Sequence, residues 1–162
     1  MRVYDISKVF LVRGPVIAVY DPKVRRLCGC AYYRNPDGCP KRGKKNCPPN
    51  AKLFVKDFSL EVLVVAIRFD FEGFLQMRRK QQPTWTERAL RNQRHWQGHI
   101  RSILHKKVEQ ELKKREGYIA VLNPEARGVD VDETCKRANI ILEWPPVEFA
   151  HEVALLAKPK IS

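Results

Sequence analysis

Four cysteines, Cys28, Cys30, Cys39 and Cys47, fall within twenty residues of this 162-residue chain, in a stretch that neither a helix nor a central strand can occupy. Gly29, Gly38 and Gly43 loosen the backbone there, while Pro36, Pro40, Pro48 and Pro49 remove donors and restrict φ. The segment is expected to be an irregular loop with no ladder of backbone hydrogen bonds. The N-terminus, Met1-Arg2-Val3-Tyr4-Asp5, does not read as a secretory signal. Clustered thiols in such a chain favour a metal over disulfides. Four thiolates gathered on a metal would supply the missing order, because binding free energy then becomes folding free energy.

The spacing bears on which metal. The loop reads Cys-x-Cys, then eight residues to Cys39, then seven to Cys47. Structural zinc favours two short knuckles, which this pattern fits poorly. Iron–sulfur clusters accept wider spacing, and a proline after a ligand cysteine recurs in ferredoxin runs, as in Cys39-Pro40 and Cys47-Pro48 here. An iron–sulfur cluster, 4Fe-4S by preference, is therefore the first expectation and zinc the second. Disulfides or free buried thiols are the other outcomes. Cys135, on a short helical turn at residues 131–137, is either a reserve ligand or a small core residue. Four ligands would make a cluster structural or electron-transferring; three would leave one iron open to a substrate. Arg25, Arg26, Arg34, Lys41, Arg42, Lys44 and Lys45 would offset the charge of a thiolate-held cluster and lower the thiol pKa values.

Charge adds a partner. Lys and Arg number 31 against 18 Asp and Glu, a formal net charge of +13. A surplus of this size calls for a polyanion. It is concentrated: residues 23–56 hold ten bases and one acid, residues 78–115 hold twelve bases and three acids, and residues 116–162 are acidic by eight to five. Nucleic acid, RNA or DNA, is the expected partner, met through the basic loop 23–56 and a long basic helix over residues 84–116. Arg25, Arg26, Arg34, Arg42, Arg88, Arg91 and Arg94 are the expected phosphate contacts, and Tyr32 and Tyr33 are placed to stack on bases. Trp85 and Trp96 fall at helical spacing and belong more naturally to a core. His95 and His99, four apart, share one face of the expected helix without an acidic residue between them, so a metalloprotease pattern is absent. No phosphate-cradling glycine loop or nucleophile elbow is present, and no reaction is specified. Residues 60–69, the longest apolar run, fall short of the roughly 18 a membrane span needs. A cytoplasmic protein that avoids membranes is expected, alone or as a basic subunit of a larger complex.

Hydrophobic residues at 44% suit one globular domain over residues 1–162. The expected class is α+β (or α/β), a small mixed sheet carrying the metal loop and the long helix. Residues 4–12 and 16–20 read as a hairpin or two neighbouring strands across Arg13-Gly14-Pro15, and residues 60–69 as a central strand covered on both faces. Residues 71–81 read as a short helix. Thr84 and Glu87 read as the capping box that opens the long helix. Residues 118–122 and 140–144 read as strands, and residues 147–158 as a helix.

Around the loop the chain resembles a family described as predicted metal-binding proteins, small cysteine-rich proteins of archaea and anaerobic bacteria. The shared pattern is Cys28-Gly29-Cys30-Ala31-Tyr32-Tyr33, then Cys47-Pro48-Pro49, the apolar strand at 60–69, and a helix ending in Lys114-Arg115-Glu116-Gly117-Tyr118 with Cys135 beyond. The chain departs from it in the Cys-x-Cys pair and in having one late cysteine, so a single metal site is implied. The resemblance implies iron–sulfur or metal binding and leaves the reaction open. A cluster-dependent enzyme of sulfur transfer or nucleic-acid modification is the alternative function.

Overall fold

The apolar run at residues 60–69 becomes the centre of the molecule in a computed structural model that describes residues 5–30 and 36–161. It lies within strand β3 (Phe58–Asp70), whose side chains from Val62 to Ile67 are all buried. Alternation divides them between two cores. Leu63, Val65, Ile67 and Phe69 enter one; Val62, Val64 and Ala66 enter the other. The expectation of a strand covered on both faces is met.

Strand β1 (Lys8–Ile17) and strand β6 (Phe149–Pro159) flank β3, and β4 (Ile119–Val121) extends the far side of β6. Every pairing in this four-stranded sheet, in the order β1-β3-β6-β4, is antiparallel, so the class is α+β and the sheet is not mixed. A two-stranded ribbon, β2 (Val19–Tyr20) against β5 (Val129–Asp130), lies outside it. One core unites the first face of the sheet with helix α2 (Phe71–Gln81), Leu90 of α3 (Glu87–Leu90) and the stripe Ile100, Leu104 and Val108 of α4 (Gln97–Lys113). The other holds Phe54 of α1 (Phe54–Asp57), β5, and α5 (Val131–Arg137) with Cys135.

Several expectations are corrected. The N-terminal hairpin is one strand: both halves of β1 pair with β3 through a register shift between Arg13 and Val16, which absorbs Gly14 and Pro15 at a sheet edge that tolerates proline. Residues 147–158 form no helix. Their apolar stretch is β6, which pairs with β3 along most of its length and is buried on both faces, where periodicity alone cannot separate helix from strand. Residues 140–144 alternate as a strand would, with Ile140 and Leu142 buried and Ile141 exposed, but they pair with no ladder and remain an extended loop.

The long helix over residues 84–116 is interrupted. Thr86, not Thr84, is the N-cap of α3, its hydroxyl accepting from the Ala89 N–H at 3.2 Å. Glu87 closes no capping box; it takes a two-pronged bond from Arg79 at 2.9 and 3.0 Å and a third from Arg91. A 3-10 turn at Gln93–His95 follows, and Trp96 leaves helical geometry at φ −143° and ψ −33° before α4 begins. The cause is packing. The Trp96 ring is 2% exposed and sits 5.0 Å from Phe69 and 5.6 Å from Phe71 between ring centroids, a burial that outweighs the helical propensity of one turn. His95 and His99 consequently belong to different elements, and the shared helical face expected of them is lost; His95 packs against Trp85 instead.

Candidate functional site

The cysteine loop is entered through a 3-10 segment, Pro22–Gly29, capped by the Asp21 carboxylate on the Lys23 N–H at 3.0 Å. Contrary to the expectation of a loop without fixed bonding, consecutive tight turns organise it. The Cys39 N–H donates to the Cys28 carbonyl at 2.8 Å, the Arg42 N–H to Cys39 at 3.0 Å, the Cys47 N–H to Lys44 at 3.1 Å, and the Ala51 N–H to Cys47 at 2.9 Å. Gly38 makes the first contact possible: at φ +91° a Cβ there would stand 2.6 Å from the Cys28 carbonyl oxygen. Arg25 donates from one guanidinium nitrogen to the Pro49 and Ala51 carbonyls, each at 3.0 Å, and so staples the loop rather than facing outward alone. Asn123 donates to the Asn46 carbonyl at 2.9 Å and ties the loop to the turn before β5.

The five cysteines are unbridged. Cys39 and Cys47 lie near enough to Cys28 to act on its thiol. Partial burial raises the Cys28 pKa, the negative charges of Cys39, Cys47 and Glu125 raise it further, and Arg42 opposes them. This reverses, for Cys28, the expectation that the basic loop lowers the thiol pKa. Arg42 does lie over the cysteines, its guanidinium within 3.0 Å of where a Gly29 Cβ would stand, but its charge is outweighed. The Cys30 thiol donates to the Arg26 carbonyl at 3.7 Å. Cys135 is fully buried in the second core, and burial together with Asp132 and Glu125 pushes its thiol up to about 12. Among the described residues, no group of three or more His, Cys, Asp or Glu side chains converges tightly enough to hold a metal ion in this arrangement. In chemistry the donor set suits a soft metal or an iron–sulfur cluster, with four reduced thiols on one short, positively charged loop.

Cys28 and Cys39 open onto a groove of about 1130 Å³. Arg88, Arg91, Arg94 and Arg101, from α3, the 3-10 turn and α4, line it as well, so the two basic stretches of the sequence meet there. Arg88 lies on α3, Arg91 caps its end, Arg94 sits on the 3-10 turn, and Arg101 lies on α4 beyond the break at Trp96. Glu125, Asp130 and Asp132 contribute an acidic lining. Glu125 reaches solvent yet is crowded by its surroundings; that desolvation pushes its carboxyl above the ordinary carboxylate range, with Glu152 and Asp130 adding to the shift and Arg101 opposing it. Trp144, 59% exposed, completes the lining.

Of the residues expected to meet nucleic acid, Arg88, Arg91 and Arg94 share the groove. Arg26 and Arg42 are exposed on or beside the loop, and Arg25 is committed to loop carbonyls. Arg34, Tyr32 and Tyr33 lie outside the described residues. Trp96 is buried and Trp85 partly so, as the core reading anticipated, although neither lies within a helix. Sequence reasoning missed Trp144 and the acidic lining; the available signal was a tryptophan followed by two prolines, an aromatic that no regular element absorbs. No helix among the described residues is long and apolar enough to cross a membrane. The chain matches no family model, no curated protein and no solved structure.

Proposed function

We propose that this chain is a metal–thiolate protein, iron–sulfur by preference and zinc otherwise, that docks on nucleic acid through its groove. The observation that carries this is the groove lining, which joins Cys28 and Cys39 to Arg88, Arg91 and Arg94. Cys28, Cys30, Cys39 and Cys47 would hold the metal, which when bound supplies structural rigidity or electron transfer. Arg42 over Gly29 supplies positive charge beside the thiolates, and Arg88 and Arg94 supply it toward phosphates. The likeness of the loop to predicted metal-binding proteins points the same way.

Metal analysis and a visible spectrum of anaerobically purified protein test the first half. Iron and sulfide with a broad absorbance bleached by dithionite are expected; stoichiometric zinc in a colourless protein would select the second metal, and neither metal would end the proposal. For the second half, log affinity for an oligonucleotide should fall linearly with log salt, and Arg94→Ala should reduce that slope by about one. A flat salt dependence removes nucleic acid as the partner.

One observation favours an enzymatic variant. The Cys30 thiol is hydrogen-bonded to a local carbonyl, while Cys39 and Cys47 lie near enough to act on the Cys28 thiol. A three-thiol site would leave a metal position for a substrate. Cys30→Ser should then keep its metal, whereas a four-thiol site should lose it.

A further inference from the structure

The groove is charged unevenly. Arg88, Arg91, Arg94 and Arg101 contribute one kind of lining, and Glu125, Asp130 and Asp132 the other. A nucleic-acid duplex carries a phosphate strand on each side, so entering this groove would bring phosphates against carboxylates. A single strand has a different distribution: its charge runs along one backbone, and the base edges opposite carry amino groups that carboxylates accept hydrogen bonds from. The groove volume, about 1130 Å³, exceeds the roughly 300–1,000 Å³ typical of small-ligand sites and suits a short run of nucleotides.

Trp144 gives the second, independent observation. Its ring is 59% exposed and is held on a braced turn at the groove. The Glu143 carboxylate accepts from the Val147 and Glu148 N–H groups, each at 3.1 Å, across Trp144-Pro145-Pro146. Arg91 donates to the Pro146 carbonyl at 3.4 Å, which fixes the same turn to the arginine side. A flat ring on a braced turn beside arginines is the arrangement by which single strands are bound, bases stacking on the ring while the backbone follows the cations.

From this geometry we infer that the groove selects single-stranded nucleic acid over duplex, with Trp144 as a base-stacking platform and Glu125 and Asp132 as the residues that reject a second phosphate strand. The inference rests on the nucleic-acid reading above and narrows it. Arg88 and Arg94 serve attraction, and the carboxylates serve discrimination against the wrong partner.

Fluorescence anisotropy with the full chain tests it, using a labelled mixed-sequence oligonucleotide as a single strand and as its duplex, in RNA and in DNA. Single strands should bind at least about tenfold more tightly than duplexes. Trp144→Ala should weaken single-strand binding about tenfold with little change for duplex, since stacking is lost only where bases are unpaired. Glu125→Gln with Asp132→Asn should collapse the preference by raising duplex affinity. Both are exposed or half-exposed positions outside the two cores, and unchanged circular dichroism would show that the variants fold. Equal binding of the two forms, or a preference that survives both sets of changes, overturns the inference while leaving nucleic-acid docking in place. Absence of binding to every oligonucleotide overturns both.

Discussion

Gly38 and His151 show how single residues control this molecule in different ways. Gly38 holds φ +91° with the Cys28 carbonyl and the Gly29 backbone within 2.8 Å of its missing Cβ, so any side chain meets backbone on a strained conformation. Gly38→Ala is expected to cost roughly 2 kcal/mol of loop order. Limited proteolysis checks it: cleavage within residues 36–53 should rise well before the core melts. His151 is 8% exposed on β6, with Arg68 of β3 and Glu143 of the loop preceding β6 as its charged neighbours. Burial and then Arg68 lower its pKa, and Glu143 only partly offsets them. The folded chain therefore resists a proton that the unfolded chain accepts near the ordinary histidine value of about 6.5. The stability this contributes is present above that value and is lost as the pH falls through it. Between about pH 7.5 and 5.5 the native chain should lose more stability, by urea midpoint, than His151→Gln does. An equal loss would mean that His151 is not a source of the pH dependence.

At the scale of elements, the segment from Thr84 to Lys113 is the most instructive. A helical stripe and two threonines at its start are visible in the sequence, but they do not say which threonine caps or whether the helix runs through. The structure assigns the cap to Thr86 and breaks the run at Trp96 because that indole is needed between Phe69 and Phe71. Thr86→Ala should therefore cost about 1 kcal/mol and Thr84→Ala close to nothing. Trp96→Ala should cost about 3–5 kcal/mol, the usual range for emptying a large buried aromatic site. Denaturant unfolding of the three variants gives the ranking, and a larger effect at Thr84 than at Thr86 would contradict the assigned boundary. The same scale explains β6. Ala154 to Ala157 are buried on both faces, so their pattern has no polar side to reveal its period, and the antiparallel pairing with β3 decides the conformation.

For the whole molecule, the two cores cover opposite faces of one sheet, and the cysteine loop lies outside both. Phe54 and Ala51 enter the packed interior near the loop's end, while Cys28, Cys39 and Cys47 belong to neither core. Replacing these three thiols together by serine, or stripping metal with a chelator, is expected to leave the sheet signal in far-ultraviolet circular dichroism and the near-ultraviolet signal of the packed Trp96. Protease sensitivity of residues 36–53 should increase. Collapse of both optical signals would show that the cores depend on the loop. Charge also changes meaning at this scale. The acidic C-terminal third, which in the sequence only dilutes the positive total, supplies Glu125, Asp130 and Asp132 to the groove that the arginines share.

What the sequence determined by itself was whatever acts over a few residues or depends on composition. Proline and glycine density kept residues 36–49 out of helix and strand, and the apolar run at 60–69 required cover on two faces. Residues 71–81 read as the short helix that α2 is, and the segregation of charge marked the two stretches that meet phosphates in the proposed function. Only the tertiary structure decided the strand identity of β6, the break at Trp96, the burial of Cys135 and the groove that joins loop thiols, arginines, carboxylates and Trp144. Each of these depends on partners distant in the chain. Apolar residues with no polar face carry no period, an aromatic ring yields its backbone geometry to the cavity it fills, and charges become a site only when folding sets them across a common space.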